Sequence, residues 1–400
     1  ATAVRSMSLA LAEQGHEPFV LCADQGMGTG DSVQEGVRIR RFLYRHGPGE
    51  ISLPGRDAHY LWKALPVVLS EFKPEIIWSC WPNFSIALAY HEGAPTFIHI
   101  PPNAHPVNFT SLLSSAPAKW RFPKWLAKAI LWTFARWRAV EWERRVLQTC
   151  LLTIVFSQNV KRQFVHYFPA YQEKVKVVYP GSDHNRFQAI PKELARQKIA
   201  GIWEIPSEKL LFLYVGRLDP DKPVDLMFQA FHRLKNQDPD LFARLHLLIV
   251  GQGSQEIFLQ RLASNLELQA TFCGSQREEL PYYYAAAWCL VLPTKIESFG
   301  LVLVEAGLCG TPSIAFLPHD QTVQTAADEI ISHRQTGLLV NPANVQGLAD
   351  AIREAASWSN EMQTRIGQAA RQHMLIKFRW DRFVNTVTQI AQQERTLVQS

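Results

Sequence analysis

Leu210-Leu-Phe-Leu-Tyr-Val-Gly-Arg217 is a run of six apolar residues closed by a glycine and an arginine. It shows no polar alternation, so both faces of the segment have to be covered, which is the pattern of a strand inside a parallel sheet. The pattern recurs downstream: His246-Leu-Leu-Ile-Val250 ends at Gly251, Trp288-Cys-Leu-Val-Leu292 ends at Pro293, and Pro312-Ser-Ile-Ala-Phe316 is a fourth run. Residues 344–357, 360–376 and about 380–398 carry helical periodicity. Buried strands alternating with helices predict an α/β fold of parallel sheets and crossover helices.

The first half repeats the pattern. Residues 3–14 read as an amphipathic helix and Pro18–Asp24 as a buried strand. Glu75–Ser79, Thr96–Ile100, Leu152–Phe156 and Lys174–Tyr179 are further strands. An α/β domain ordinarily opens with a strand, so the reading has a first strand and its loop missing ahead of Ala1. The turn Pro180-Gly-Ser-Asp183 is the best boundary. The expected domains are an N-terminal Rossmann-like domain over 1–180, a second over 187–378, and a helix over 379–400 that crosses back to the first. Four hundred residues also suit two domains rather than one.

Composition narrows the class. The chain is 47% hydrophobic and 19% charged, which suits a globular protein with a sizeable core and argues against disorder. No apolar stretch reaches the ~18 residues of a membrane-spanning helix. The six cysteines form no CxxC or CxxH pair, so neither a zinc site nor a disulfide framework is expected, and no metal is called for. Reduced thiols point to a cytoplasmic address.

In open α/β sheets ligands bind at the carboxyl ends of the strands, and the chemically interesting residues follow strands here. Glu297-Ser-Phe-Gly-Leu-Val-Leu-Val-Glu305 comes after the strand ending at Leu292. A helix should start near Phe299 or Gly300. Gly300 admits a close ligand, the first free amides form an anion site, and Glu297 and Glu305 reach different hydroxyls of one ligand. Gly216-Arg217-Leu-Asp-Pro-Asp-Lys222-Pro223 sets two cations at a strand end, a pairing that suits a diphosphate. Gly251-Gln-Gly253 sits where backbone can approach a nucleotide, although the pattern alone is weak.

Together these segments resemble glycosyltransferase family 4, also described as glycosyl transferases group 1, the retaining glycogen-synthase-like enzymes. The resemblance is closest over Leu210–Leu339. Thr311-Pro312 and Thr336–Val340 match further markers of the family, and Ser157 and Val178–Phe187 match more weakly. It implies a GT-B fold, two Rossmann-like domains facing across a cleft. It implies a nucleotide-sugar-dependent hexosyltransferase that needs no cofactor. Arg217 and Lys222 would hold the donor diphosphate, Glu305 the ribose, and Glu297 hydroxyls of the transferred sugar. Gly216, Gly251 and the stretch Ser298, Phe299, Gly300 and Leu301 would complete the donor site. His99, closing the strand before Pro101, resembles a histidine near the transferred sugar and joins Arg217, Lys222 and Glu297 as a catalytic candidate; His105 is a weaker one. Two departures stand out. Pro223 replaces the usual glycine after the lysine, fixing φ and removing an amide, and the family's N-terminal glycine-rich loop has no counterpart.

Residues 119–145 carry eight Lys or Arg against two Glu, with Trp120, Trp125, Trp132, Trp137 and Trp142 among them. Such a segment suits an anionic membrane surface, placing the protein peripherally on the inner face of the membrane; the plainer reading is a core helix with inward tryptophans. No motif for nucleic acid accompanies the charge. The expected partners are the nucleotide sugar and a saccharide or lipid-linked acceptor, in bacterial cell-surface polysaccharide or glycolipid synthesis. The competing readings are a nucleotide-sugar epimerase of the same fold and a non-catalytic sugar-nucleotide-binding partner in an assembly complex. A glycoside hydrolase, which also uses two carboxylates, has no need of phosphate-binding cations.

Overall fold

In the computed structural model, which describes residues 2–23, 28–42, 58–91, 93, 96–101, 137–319 and 322–399, the chain forms two units. Ala1–Gly181 and Trp380–Ser400 make one, and Ser182–Arg379 the other.

The first unit holds two sheets. In one, β1 (Phe19–Ala23) runs parallel to β3 (Val37–Phe42), and β2 (Gly30–Gln34) is antiparallel to β3. Glu35 and Gly36 join β2 to β3 with φ of 49° and 81°. Positive φ at both central residues is the two-residue hairpin geometry that matches strand twist. The other sheet is parallel in the order β4 (Ile77–Ser79), β5 (Phe97–His99), β6 (Leu152–Val155), β7 (Val175–Val177). Helix Trp380–Gln399 is built on one stripe of Phe383, Val384, Val387 and Ala391, with Asp381 in its first turn. That stripe shares a core with Met7 and Ala10 of helix Thr2–Glu13, Ile98 of β5, and Leu152 and Ile154 of β6. Helices Ala58–Phe72 and Pro82–Ala89 form a second core with Phe97 and Val146.

The second unit is one six-stranded parallel sheet: β8 (Leu210–Val215), β9 (Leu245–Val250), β10 (Ala270–Gly274), β11 (Cys289–Leu292), β12 (Ser313–Phe316) and β13 (Gly337–Val340). Their order across the sheet is β10-β9-β8-β11-β12-β13. Every residue of β8 is buried, as the unbroken apolar run requires, and Leu210 to Val215 pair in register with Leu245 to Val250. The order runs outward from β8 to β10, then reverses and runs from β11 to β13. The reversal between β8 and β11 is the switch point at which the loops part and leave a crevice at the strands' carboxyl ends.

No described helix is long and apolar enough to cross a membrane.

Candidate functional site

The switch point gathers residues far apart in the chain. β8 and β11 are neighbours, pairing Phe212 with Cys289 and Leu213 with Leu290. The loop after β8 carries Arg217 and Lys222; the loop after β11 carries Glu297. Lys222 Nζ lies 2.7 Å from Glu297 Oε2, although the residues are 75 positions apart. The lysine side chain is 15% exposed and the glutamate 28%, so the pair is sheltered but open to a ligand.

Both loops are held by backbone bonds. Tyr214, buried in β8, donates its hydroxyl to Arg217 O at 3.0 Å. Lys222 N bonds Asp219 O at 2.9 Å, closing the turn before helix Val224–Gln237. Pro223, the departure noted in the sequence, is the N-cap residue of that helix, where its missing N–H removes no intrahelical bond. Glu297 N bonds Gln324 O at 2.9 Å and Gln324 N bonds Lys295 O at 2.7 Å, so a short parallel bridge fixes the glutamate's backbone.

Gly300 is the N-cap of helix Leu301–Leu308 with φ of 96°, a left-handed conformation that favours glycine, and no side chain caps the helix. Phe299 is buried and packs edge-on against Phe378, ring centroids 5.5 Å apart, so its side chain belongs to the core. Leu301 is 37% exposed and Ser298 half-buried. Glu305, one turn into the helix, accepts a hydrogen bond from the Tyr284 hydroxyl at 2.9 Å. Burial pushes its carboxyl up to about 7, against the opposing pull of Tyr284 and Arg186. The local pairing that a glutamate here can adopt is therefore present.

Gly251 and Gly253 each face the backbone of the loop after β8. A Cβ on Gly251 would stand 1.8 Å from Gly216 O, and one on Gly253 would stand 2.4 Å from Leu218 O. Gly216 N bonds Val250 O at 3.0 Å, and Leu218 N bonds Gln252 O at 3.0 Å. The close backbone approach is between the protein's own two loops, which explains the glycines without a ligand.

Two carboxylates passed over in the sequence belong to the site. Asp219 accepts from Arg217 Nη1 and from Ser254 N and Oγ, both at 3.0 Å. The Ser254 amide is the main cause holding its carboxyl below the usual range. Asp221 accepts from Arg217 Nη2 at 2.8 Å. Both sit inside the quoted Arg217–Lys222 motif, where a count of anions beside its cations would have shown them. Tyr284 left no such signal.

His99 lies in the first unit, fully buried at the end of β5. Its Nδ1 is 2.7 Å from Ser85 Oγ and its Nε2 is 3.0 Å from Glu143 Oε1. Ser85 Oγ continues to Ser79 Oγ at 2.6 Å. Both ring nitrogens are thus taken by buried protein groups, the arrangement of a structural histidine. Glu143 belongs to the helical residues 137–149, the described end of the basic segment, where Trp137 is 62% exposed and Trp142 packs against the core. His105 and residues 119–136 lie outside the described residues. Among the described residues no three of His, Cys, Asp and Glu converge as a metal-ligand set.

The family model described as Glycosyl transferases group 1 matches residues 195–373, and that described as Glycosyltransferase Family 4 matches residues 1–186. A D-inositol 3-phosphate glycosyltransferase of Saccharomonospora viridis is 30% identical over 256 residues, 62% of this chain and 57% of that protein. One from Streptomyces bingchenggensis is 32% identical over 250 residues, 60% of this chain and 52% of that protein. The chain thus spans about half the length of the curated relatives it matches. The fold is similar to sucrose-phosphate synthase from Thermosynechococcus elongatus, with a TM-score of 0.78 at 20% identity, covering 98% of this chain and 93% of that one. It is also similar to HepE of Anabaena solved with UDP and glucose, TM-score 0.68 at 18% identity, covering 94% and 99%.

Proposed function

This chain belongs to the glycosyltransferases of group 1 and family 4, and from that premise we propose that it moves a hexosyl group from a nucleoside-diphosphate sugar to a hydroxyl acceptor, with retention at the anomeric carbon. The observation that carries the reading is the meeting of Lys222 with Glu297 at the switch point, with Arg217 on the same loop as the lysine. A cation pair and a carboxylate set at a strand-end crevice match the two parts of such a donor, an anionic diphosphate and a hydroxyl-rich sugar.

In this reading the bond from the anomeric carbon to the diphosphate oxygen breaks while a bond to the acceptor oxygen forms on the same face. The acceptor's proton passes to the departing phosphate oxygen. Negative charge grows on the diphosphate, and Arg217, Lys222 and the amides opening helix Leu301–Leu308 are the fixed groups that stabilise it; preorganised electrostatics of this kind is usually the largest catalytic contribution. Glu297 accepts from sugar hydroxyls once the diphosphate has drawn Lys222 away, and Glu305 accepts from the ribose. His99, with both nitrogens occupied, is left a positioning part. Gly216 and Gly251 shape the loops on which the donor rests.

The acceptor is a saccharide or lipid-linked sugar, and the setting is cell-surface polysaccharide or glycolipid synthesis at the cytoplasmic face of a membrane. Support for that setting comes from the fold's likeness to WaaG, a glycosyltransferase involved in lipopolysaccharide biosynthesis, with TM-score 0.67 at 16% identity, and from the charge of residues 119–145.

The test is a panel of UDP-, ADP- and GDP-sugars with lipid-linked acceptors, products read by mass. Arg217→Ala and Glu297→Ala are expected to lose most turnover. Full activity in either variant overturns its assigned role, and conversion of the nucleotide sugar to its epimer without acceptor, with no nucleoside diphosphate released, favours the epimerase.

A further inference from the structure

We propose that the two aspartates of the 217–222 turn have opposite tasks, Asp219 holding Arg217 in place and Asp221 occupying the diphosphate position until a donor displaces it. The inference rests on the donor-site reading above and assigns two residues which that reading leaves without a role.

The difference lies in what else each carboxylate touches. Asp219 is tied twice to Ser254, through the amide and the hydroxyl, both at 3.0 Å. Its other oxygen takes Arg217 Nη1. It therefore joins the loop after β9 to the arginine and cannot leave without breaking that junction. Asp221 has no such anchor. Its carboxylate is 41% exposed, and its only ion-pair partners among the described residues are the two cations assigned to the donor. A single oxygen, Asp221 Oδ2, lies 2.8 Å from Arg217 Nη2 and 4.0 Å from Lys222 Nζ. One anionic oxygen between a guanidinium and an ammonium is the contact a phosphate oxygen would make. Asp221 thus stands in for the ligand on Arg217 and at the edge of Lys222, whose closer partner in the empty site is Glu297. An entering diphosphate, with more charge and more acceptor oxygens than a carboxylate, takes both cations and frees Asp221 to solvent.

The experiment titrates UDP, ADP and GDP into the full chain by calorimetry and carries the tightest binder into three variants. Asp221→Asn is expected to bind it about two- to fivefold more tightly, the scale of one exposed ion pair. Asp219→Asn, which keeps the shape but weakens the hold on Arg217, is expected to bind about two- to fivefold less tightly. Asp225→Asn removes the same charge from a carboxylate that pairs with neither cation and is expected to leave affinity within about twofold. Opposite signs from two neighbouring aspartates are not a result that a general loss of folding produces. The proposal is overturned if Asp221→Asn binds no more tightly than the wild type, if Asp225→Asn tightens equally, or if Asp219→Asn binds as tightly as Asp221→Asn. A wild-type chain that binds none of the three nucleotides overturns the donor-site reading, and this inference with it.

Discussion

Lys222 and Glu297 meet at 2.7 Å because β8 and β11 lie side by side where the strand order reverses. The pair is sheltered yet partly solvated, so its value to stability is small, about 1 kcal/mol or less. Its value to the reaction is expected to be larger. Lys222→Ala should leave the melting temperature nearly unchanged while lowering kcat/KM for donor by roughly a hundredfold or more. Thermal denaturation and steady-state kinetics on one preparation check this, and a loss of turnover matched by a collapse in melting temperature would count against it.

Gly251 tests the packing of the two loops. Its φ of 145° and the 1.8 Å approach of a would-be Cβ to Gly216 O leave no room for a side chain. Gly251→Ala is expected to cost roughly 3 kcal/mol or more, since the loop after β9 must move away from β8. Urea denaturation gives the number. A variant as stable as the parent would mean that the loops are not held together.

Glu305 gives a pH signature. Its carboxyl is raised from 4.5 to about 7 by burial. The folded state therefore holds a proton that the unfolded state has released between those values, and stability falls as pH rises from about 4.5 through about 7. Glu305→Gln removes the ionisation while its amide oxygen can still accept from Tyr284. The variant should be the more stable of the two at pH 8, with the difference shrinking toward pH 4.5. Melting temperatures across that range read it directly; a constant offset would disprove the assignment.

The His99–Glu143 contact makes the fourth test. Both groups are buried, so Glu143→Ala leaves a ring nitrogen unpaired at a cost of about 1–3 kcal/mol. Glu143→Gln keeps an acceptor and should recover much of that. Paired with His99→Ala in a double-mutant cycle, the coupling should exceed about 0.5 kcal/mol. Additive effects would show that the contact carries no energy.

Much of the second unit was legible because its strands are buried on both faces. Leu210–Val215 leaves no polar gap and Pro312–Phe316 is interrupted only by Ser313, and their reading agrees with β8 and β12 to within a residue. Ala270–Gly274 was not read as a strand. It lies at the sheet's edge, where most of its residues are only partly covered, so it needs no apolar run. The β2–β3 hairpin was missed for a related reason: β2 is mostly exposed and nearly devoid of apolar residues, β3 is broken by Arg38, Arg40 and Arg41, and the Glu35-Gly36 turn lacks the usual Asn or Asp. At the site, the cations and glutamates stood out by residue type, whereas Asp219 and Asp221 did not, because the motif was read for what would bind an anion.

The sequence by itself determined the class of fold and the chemistry on offer, since short apolar runs ended by glycine or proline alternate with helical periodicity, and an arginine directly after such a run is placed at a strand end. Tertiary structure alone decided which of these residues work together. Lys222 and Glu297 are 75 positions apart and become partners through the reversal of strand order. Gly251 is glycine because another loop presses on it, and His99 is enclosed because Ser85 and Glu143 arrive from two helices beside its strand. Pairing of this kind depends on distances across the fold, which no local pattern encodes.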